Sequence, residues 1–354
     1  MLRTIGLMSG TSLDGVDAAW LETDGELLGR FGPTLTIPYD DALRADLRRL
    51  LDRAPTLAAD DPALASAVAR LTATHLRAVL ALEKPADLIG FHGQTILHQP
   101  GRKKTWQVGD AAWLARETGL PVAHDFRSAD VAAGGQGAPL VPVFHAALAR
   151  QLERPLAILN IGGVANVTWI GADSSLVAFD TGPGNGPLDD FVACHTGQNF
   201  DRDGALARAG QADAGVLANL LAHPYFRAAP PKSLDRLDFA KTLAASGLDL
   251  LSVPDGAATL TAFIAGAVAA ASFPAAPRHW LVTGGGRRNA AIMQALRDAL
   301  PAPVDAVEVH GWNGDALEAQ CFGFLAARVV AGLPLSFPGT TGVPRPLPGG
   351  RVAK

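Results

Sequence analysis

The feature that most constrains the fold is a strand, a glycine-containing turn and a second strand that open each half of the chain. Residues 4–22 show this pattern, with a turn rich in hydroxyl groups and glycine between two apolar strands. Residues 156–169 repeat it in outline, and Trp169 falls where Trp20 falls in the first copy. Because a repeat of this kind indicates a repeated structural unit, the sequence predicts an α/β chain of two lobes, each presenting one loop to a shared cleft.

The length of the chain also favours two lobes. With 354 residues it exceeds the size at which one hydrophobic core keeps growing. Residues 133–139 hold four glycines or prolines in seven positions, which predicts the most flexible segment of the chain. We therefore place the domain change there, with lobes at residues 1–135 and 136–354.

The composition argues against several classes of function. A formal net charge of −4 shows no basic excess for nucleic acid, and no segment approaches the ~20 apolar residues of a membrane-spanning helix. The two cysteines, Cys194 and Cys321, cannot build a disulfide framework or a thiolate metal site, and the histidines lack the spacing of zinc ligands. We expect a cytoplasmic protein that binds neither nucleic acid nor membrane.

One carboxylate stands at a position suited to chemistry. The apolar run 177–179 predicts a buried strand and the Gly-Pro-Gly turn at 182–184 predicts its end, so Asp180 would lie at the carboxyl edge of the strand. Ligands gather at that edge in open α/β sheets, which makes Asp180 a candidate general base. The glycines and a helix starting at Asn185 would add an anion cradle. The alternative is that Asp180 caps the following turn.

The turn after the first strand carries groups that bind phosphate and Mg²⁺. Backbone N–H groups beside glycines and side-chain hydroxyls bind phosphate, while carboxylates orient hydrated Mg²⁺. An ordinary polar hairpin turn is the alternative, since the lysine of a P-loop is missing. The groups concerned are the N–H groups freed by Gly10 and Gly15, the hydroxyls of Thr11 and Ser12, and the carboxylates of Asp14 and Asp17.

Polar residues also follow the apolar strand that precedes position 92. His92, Gln94 and Thr95 flank a glycine and can hydrogen-bond a polyhydroxylated ligand. The alternative for His92 is a structural histidine at the end of a strand.

Three charged residues each leave two interpretations open. Arg127 and Asp130 belong either to a substrate site or to an ion pair at a surface bend. Glu318, an acid within the apolar stripe of a helix, points either into a site or at a neighbouring turn.

Two further segments favour contact with a ligand or a partner. Three glycines at 284–286 separate a strand from a helix, and they would let the backbone lie flat against a planar or anionic group. The proline-rich residues 224–233 are too apolar to remain in water, so we expect them to pack against the cleft or a partner chain.

Six motifs are spread along the chain: Met8-Ser-Gly-Thr-Ser-Leu-Asp-Gly-Val-Asp17, Phe91-His-Gly-Gln-Thr95, Asn160-Ile-Gly-Gly-Val-Ala-Asn166, Phe179-Asp-Thr-Gly-Pro-Gly-Asn185, Thr283-Gly-Gly-Gly286 and Glu318-Ala. Together they resemble the anhydro-N-acetylmuramic acid kinases, within the actin-like kinase superfamily, over nearly the whole chain. One departure concerns the superfamily's first phosphate loop, which usually starts with an Asp-x-Gly acid where this chain has Met8-Ser9-Gly10. That departure directs attention for metal binding to Asp14 and Asp17.

The resemblance implies a fold, an activity and a set of roles. The fold would be the two-lobed actin-like ATPase fold, with duplicated sheet-plus-helices domains and a central cleft. The enzyme would use ATP and Mg²⁺ to hydrolyse the 1,6-anhydro ring of an amino sugar and phosphorylate its O6 in cell-wall recycling, with Asp180 as general base, and it would form a homodimer. The first lobe would carry the first phosphate loop and part of the sugar site, and the second lobe the second phosphate loop, the adenosine loop and the tail. Nucleotide-binding residues would be Gly10, Thr11, Ser12, Leu13, Asp14, Gly15, Val16, Asp17, Gly162, Gly163, Gly182, Gly184, Gly284, Gly285 and Gly286, and sugar-binding residues His92, Gln94, Thr95, Asn185 and Glu318.

Two other functions compete with this one. An ordinary sugar kinase of the same fold would phosphorylate a free hydroxyl without adding water. A nucleotide-switched binding protein would respond to ATP without chemistry, although it would not need a base at Asp180. Release of ADP that depends on added sugar separates the enzymes from the binding protein.

Overall fold

The computed structural model describes residues 1–10, 12–234 and 239–354, and its contacts group the chain into two compact units. The first unit comprises Met1–Arg150 and Ala316–Lys354, and the second comprises Gln151–Asp315. Thr11, which the sequence places among the phosphate-binding residues, lies outside the described residues.

The described chain alternates strands and helices. The strands are β1 (Leu2–Ser9), β2 (Gly15–Thr23), β3 (Leu28–Pro38), β4 (Leu88–Gln99), β5 (Lys104–Val108), β6 (Val122–His124), β7 (Leu156–Ile161), β8 (Val164–Ile170), β9 (Leu176–Pro183), β10 (His279–Thr283), β11 (Val304–Ala306) and β12 (Arg351–Ala353). The helices are α1 (Asp41–Arg53), α2 (Pro62–Ala81), α3 (Ala111–Thr118), α4 (Ser128–Ala132), α5 (Pro142–Leu148), α6 (Asn185–Thr196), α7 (Ala205–Ala209), α8 (Ala214–Leu221), α9 (Ala240–Ala245), α10 (Val253–Ala269), α11 (Ala290–Ala299), α12 (Leu317–Val330) and α13 (Pro338–Thr341).

The first unit is built on a mixed sheet in the order β12-β6-β4-β1-β2-β3, with β5 paired to β4. Strand β1 runs antiparallel to β2, with Ile5 opposite Trp20, and parallel to β4, with Ile5 opposite Ile89. The predicted hairpin around the glycine-rich turn is therefore confirmed.

The second unit repeats this topology in a sheet of order β11-β10-β7-β8-β9. Strand β7 is antiparallel to β8 and parallel to β10, as β1 is to β2 and β4. The two tryptophans also correspond, because the indole N–H of Trp20 donates to Pro85 O and that of Trp169 donates to Ala275 O, each at 2.9 Å. Each bond lies just before the parallel strand of its unit. The duplicated α/β fold class predicted from the repeat is confirmed.

Helix α12 returns the end of the chain to the first sheet. It packs on β1 and β4, where Gly6 and Gly90 bring the strand backbones against it. A Cβ at Gly6 would overlap the carbonyl oxygen of Ala319, and one at Gly90 would overlap that of Phe322. Because α12 packs on β1 and β4, residues 316–354 group with the first unit, whereas the sequence analysis places them in the lobe at 136–354.

Residues 133–139 are hydrogen-bonded to neighbouring parts of the first unit. The buried carboxylate of Asp130 accepts the N–H of Gly137 and the hydroxyl of Thr341, each at 2.6 Å, and Gln136 N–H donates to Thr341 O at 2.7 Å. Further along, Phe144 packs on Phe324 of α12 with 5.5 Å between ring centroids. These bonds join residues 133–139 to the first unit, and the change of unit comes after Arg150.

Each sheet is covered by helices that bury apolar side chains. In the first unit Leu47 of α1 and Leu71 of α2 are fully buried. In the second unit α10 is apolar on nearly all sides, as expected of a central helix, and Phe263 and Ile264 lie in the core. Across the described ranges, no helix combines the length and apolar character needed to cross a bilayer.

Candidate functional site

Asp180 lies within β9 rather than at its end. The sequence predicts that the Gly-Pro-Gly turn stops the strand at the acid, but β9 continues to Pro183. Strand β9 is the edge of its sheet, where a proline is tolerated because one side needs no hydrogen bonds. The pairing shifts at this point, with Asn166 opposite Asp180 and Ala165 opposite Gly182, which marks a bulge beside the acid.

A distant segment contacts Asp180 at three points. Its carboxylate accepts the N–H of Leu234 at 2.8 Å, its own N–H donates to Lys232 O at 3.0 Å, and its carbonyl accepts the hydroxyl of Tyr225 at 2.6 Å. The partners of these three bonds are Leu234, Lys232 and Tyr225, and none of them lies in the turn at 182–184. The structure therefore does not support the alternative that Asp180 caps that turn. Two of these bonds, from Tyr225 and Lys232, join the proline-rich segment 224–233 to β9 of its own unit.

The environment of Asp180 suits a base. Burial raises the pKa of Asp180 to about 6, while the N–H of Leu234 opposes part of that rise. A carboxyl whose pKa lies near neutrality is ionised at pH 7 and still basic enough to accept a proton from a reacting group. Perturbed carboxyl groups of this kind cluster at functional sites.

The start of α6 is already hydrogen-bonded within the protein. Gly184 N–H and Gly186 N–H donate to Gly163 O at 3.0 and 3.2 Å, and Asn185 N–H donates to Gly162 O at 2.7 Å. These amides were expected to face an anion, and they instead join the turn between β7 and β8 to the helix. The cradle suggested by the sequence at this helix is therefore largely used for internal packing.

Close packing also accounts for Gly182 and Gly284. A Cβ at Gly182 would lie 2.8 Å from the Cβ of Ala267 on α10. Gly284 has a φ of +76°, and a Cβ there would lie 2.6 Å from Ile161 O. The turn at 284–286 thus lies against the end of β7, as its lack of side chains permits.

Arg287 braces that turn. Its Nη1 donates to Gly284 O at 2.8 Å, and its guanidinium pairs with Glu308 at 2.8 Å and with Asp315 at 2.9 Å. The side chain of Arg287 is 5% exposed. A glycine turn fixed by a buried arginine can bind a ligand with little ordering cost.

A cavity of about 420 Å³ opens in the second unit beside this turn. That volume falls in the range of small-molecule sites. The sequence analysis places two of its lining residues, Asn185 and Gly285, in the site. It missed Phe200 and Arg202, because the acids around them, Asp201 and Asp203, indicate only ordinary capping of the following helix. The remaining lining residues are Leu188, Asp189, Asp201, Asp203, Arg288 and Asn289.

The turn between β1 and β2 forms the other predicted phosphate site. Leu13 has a φ of +58° and is buried, and its N–H donates to Gly10 O at 3.2 Å. Ser12 and Asp14 are exposed at the tip, whereas Val16 is buried in β2. Gly15 is explained by packing, because a Cβ there would lie 2.8 Å from the Cα of Pro38.

Gln94 and Thr95 belong to a polar network near the end of β1. Gln94 is fully buried and accepts the hydroxyl of Ser9, which is also 2.6 Å from the hydroxyl of Tyr39. Thr95 Oγ1 accepts an N–H of Gln107 at 3.1 Å. Gln94 therefore links β4 to β1 and has a structural role in addition to any contact with a ligand.

His92 is held as a neutral imidazole. Its Nδ1 lies 2.8 Å from Gly93 O, and its Nε2 accepts the Nε–H of Arg127 at 3.0 Å. Burial and the neighbouring Arg127 keep the pKa of His92 well below its usual value. Because both ring nitrogens are used, His92 is unsuited to act as a base. It lines a cavity of about 200 Å³ in the first unit.

Arg127 and Glu318 lie within electrostatic reach of each other in the first unit. Glu318 is partly accessible to solvent. Desolvation by the surrounding protein raises its pKa, the charge of Arg127 lowers it, and the charge of Asp17 raises it further. Arg127 Nη1 donates to Gly137 O at 2.7 Å. Of the two interpretations left open for Arg127 and Asp130, the structure does not show an ion pair at a surface bend, because Asp130 is buried and bonded to Gly137 and Thr341.

The family model described as anhydro-N-acetylmuramic acid kinase matches residues 2–352. The chain belongs to this family. An anhydro-N-acetylmuramic acid kinase of Acidiphilium cryptum is 62% identical over 100% of this chain and 98% of its own length, and one of Paramagnetospirillum magneticum is 56% identical over 99% of both. Membership confirms the resemblance seen in the motifs.

Solved structures give a much weaker likeness. Component A of the (R)-2-hydroxyglutaryl-CoA dehydratase of Acidaminococcus fermentans is 12% identical, with a TM-score of 0.48 over 92% of this chain and 99% of that one. A ROK family glucokinase of Streptomyces griseus, in complex with glucose and AMPPNP, is 15% identical, with a TM-score of 0.43 over 92% and 99%. Similarity at this distance carries no conclusion about the present chain.

Proposed function

We propose that this member of the anhydro-N-acetylmuramic acid kinase family uses ATP to open the 1,6-anhydro ring of 1,6-anhydro-N-acetylmuramic acid and to phosphorylate O6. The products are N-acetylmuramic acid 6-phosphate and ADP, as cell-wall recycling requires. The observation that carries the proposal is Asp180, a largely buried carboxylate with a pKa raised to about 6. Family membership across residues 2–352 supports the choice of substrate.

Asp180 acts as the general base. It accepts a proton from a water molecule whose oxygen bonds to the anomeric carbon, and the bond from that carbon to O6 breaks. The electron pair passes to O6, which bonds to the γ-phosphorus as the bond to the β,γ-bridging oxygen breaks. The proton on Asp180 then returns to solvent. Ring opening makes O6 a nucleophile and phosphoryl capture makes it a better leaving group, so a separate acid is not required.

The nucleotide is bound by residues of both predicted turns. We assign its phosphates to residues 10–17, where Ser12 and Asp14 are exposed. We assign the adenosine to the cavity of about 420 Å³ beside Gly285. Phe200 is half exposed there, with the Arg202 guanidinium 5.4 Å from its ring centroid, and such a surface can stack on a base.

Mg²⁺ fits the chemistry of the first turn. Asp14 is exposed and Asp17, which accepts the hydroxyl of Thr36 at 2.6 Å, is partly exposed, and carboxylate oxygens are ligands that Mg²⁺ prefers. Within the ranges described, no group of three or more His, Cys, Asp or Glu side chains can hold a metal. We therefore assign Mg²⁺ to one or both carboxylates together with water and nucleotide phosphates. When bound it would neutralise charge on the β- and γ-phosphate oxygens.

The sugar site remains a proposal for His92, Gln94, Thr95, Asn185 and Glu318. His92 and Gln94 contribute to this site mainly by holding the backbone around residues 92–94 in place, because their polar atoms are hydrogen-bonded to other groups of the protein. Glu318 keeps exposed surface and can accept sugar hydroxyls. A homodimer also stays a prediction.

The proposal predicts that ADP release requires the anhydro sugar and falls at acid pH. Asp180 is active when ionised, so protonation below its pKa of about 6 removes the base, and kcat/KM should fall about tenfold for each pH unit below that value. The measurement is ADP release with and without sugar across pH 4–9. Release independent of sugar, or a rate that stays constant down to pH 4, would contradict the proposal, and a nucleotide-switched binding protein would release none.

A further inference from the structure

We propose that Tyr225 is a positioning residue for Asp180. This inference rests on the proposed role of Asp180 as the base. The segment at residues 224–234, called here the strap, lies along the outer edge of β9 and bonds to Asp180 at its N–H, its carbonyl and its carboxylate. Three bonds to one residue from a segment about 50 positions later in the chain are more than packing of an edge strand requires.

The two carboxylate oxygens of Asp180 have different roles: one accepts a hydrogen bond from the strap and the other can accept a proton. Leu234 N–H occupies one oxygen at 2.8 Å, so a proton from water is left to the other oxygen. The Tyr225 hydroxyl at 2.6 Å and Lys232 O at 3.0 Å fix the peptide groups on either side of the Asp180 Cα. With backbone and one oxygen held, the free oxygen keeps a single direction, which is the condition for efficient proton transfer.

Tyr225 also holds the strap together. The ammonium of Lys232 donates to Tyr225 O at 2.9 Å and lies 4.5 Å from the centroid of its ring. The ring also contacts Phe226 and Phe239 edge to face, with centroids 6.0 and 6.1 Å away. These contacts hold the ring of Tyr225 while its hydroxyl donates to Asp180 O.

The groups around Asp180 are mostly uncharged. Opposite it on β8 lies Asn166, and burial rather than a charged neighbour is the main reason for its raised pKa. Lys232 is the nearby cation on the strap, and its ammonium is directed at Tyr225 and, at 5.8 Å, at the ring of Phe179. The strap therefore acts on Asp180 through burial and hydrogen bonds rather than through a charge.

The test is Tyr225→Phe, which keeps the ring and removes the hydroxyl. We expect kcat to fall about tenfold, the usual effect of losing one hydrogen bond, with KM for ATP and sugar nearly unchanged. Loosening the strap admits water to Asp180, and since burial is the larger cause of its raised pKa, the acid limb of the kcat profile should move to lower pH. A residue with only a structural role would leave that limb in place.

A matched control removes a similar bond elsewhere in the same unit. Thr196→Val deletes a hydroxyl that donates to Val192 O at 2.7 Å, and it should leave kcat and the pH profile unchanged. If Tyr225→Phe does not fold, Lys232→Met serves instead, because it keeps an apolar stem and removes the bond to Tyr225 O.

The outcomes separate the inference from the function on which it rests. Wild-type protein that releases no ADP with sugar would overturn the proposed function. Wild-type protein that turns over, alongside a folded Tyr225→Phe variant, or Lys232→Met in its place, with unchanged kcat and an unmoved acid limb, would overturn only the role of Tyr225. A lowered kcat with the acid limb moved to lower pH in either variant, and no change in Thr196→Val, supports it.

Discussion

Replacement of Asp180 by Asn should lower kcat by about 10²–10⁴ while the protein stays folded and still binds nucleotide. Asn keeps an oxygen for Leu234 N–H, so the contact at 2.8 Å can persist, but it cannot accept a proton from water. The folded protein raises the pKa of Asp180 to about 6, above its ordinary value of 3.8. The ionised group is therefore less favourable in the folded than in the unfolded state at neutral pH, and the free energy of unfolding should be equal or higher in the variant.

The control for this variant is the same chemical change at an exposed acid of the same unit. Asp173 lies in the turn before β9, and its carboxylate accepts the N–H and hydroxyl of Ser175. Asp173→Asn should keep wild-type kcat. Sugar-dependent ADP release, nucleotide binding and urea unfolding are measured for all three proteins. An Asp180→Asn variant with near-wild-type kcat would remove Asp180 from the mechanism.

Replacement of Gly6 by Ala should cost about 3 kcal/mol of unfolding free energy or prevent folding, as overpacking against backbone does. A Cβ at this position would overlap Ala319 O and lie 2.9 Å from the carbonyl carbon of the same residue. The new Cβ is attached to the main chain of β1 and the atoms it meets belong to the main chain of α12. Rotation of a side chain therefore cannot relieve the clash. The helix must move off the sheet, and with it the segment that carries Glu318.

Gly101→Ala is the matched control, because a Cβ at Gly101 meets no atom within 4 Å. It should change the free energy of unfolding by less than about 1 kcal/mol. Urea unfolding of the three proteins provides the comparison. Equal midpoints for Gly6→Ala and wild type would contradict the packing of α12 on β1.

Local patterns predict the part of the fold that neighbouring residues determine. Apolar alternation and a glycine turn are properties of short segments, so the hairpins β1–β2 and β7–β8 follow from the sequence alone. Their repetition, with Trp20 and Trp169 as markers, also predicts the duplicated architecture. Asp180 can be recognised because a single acid ends an apolar run, although its role stays a proposal.

Contacts between distant residues limit what the sequence reveals. Asp180 meets Leu234 across 54 positions, and nothing local to either residue indicates that bond. Gly6 and Gly90 let α12 pack closely on β1 and β4. A glycine inside a strand, however, does not indicate which distant segment will pack against it. For the same reason the amides at the start of α6 suggest an anion site in sequence, whereas the turn at 162–163 already occupies them.

The central claim is that one reaction adds both water and phosphate to the anhydro sugar, and mass spectrometry of the product formed with ATP and Mg²⁺ in water labelled with heavy oxygen tests it most directly. The account predicts a product that gains one phosphate and one heavy oxygen at the anomeric carbon, with no heavy oxygen in the phosphate. A product that gains phosphate alone, with its anhydro ring intact, would contradict the account and identify an ordinary sugar kinase.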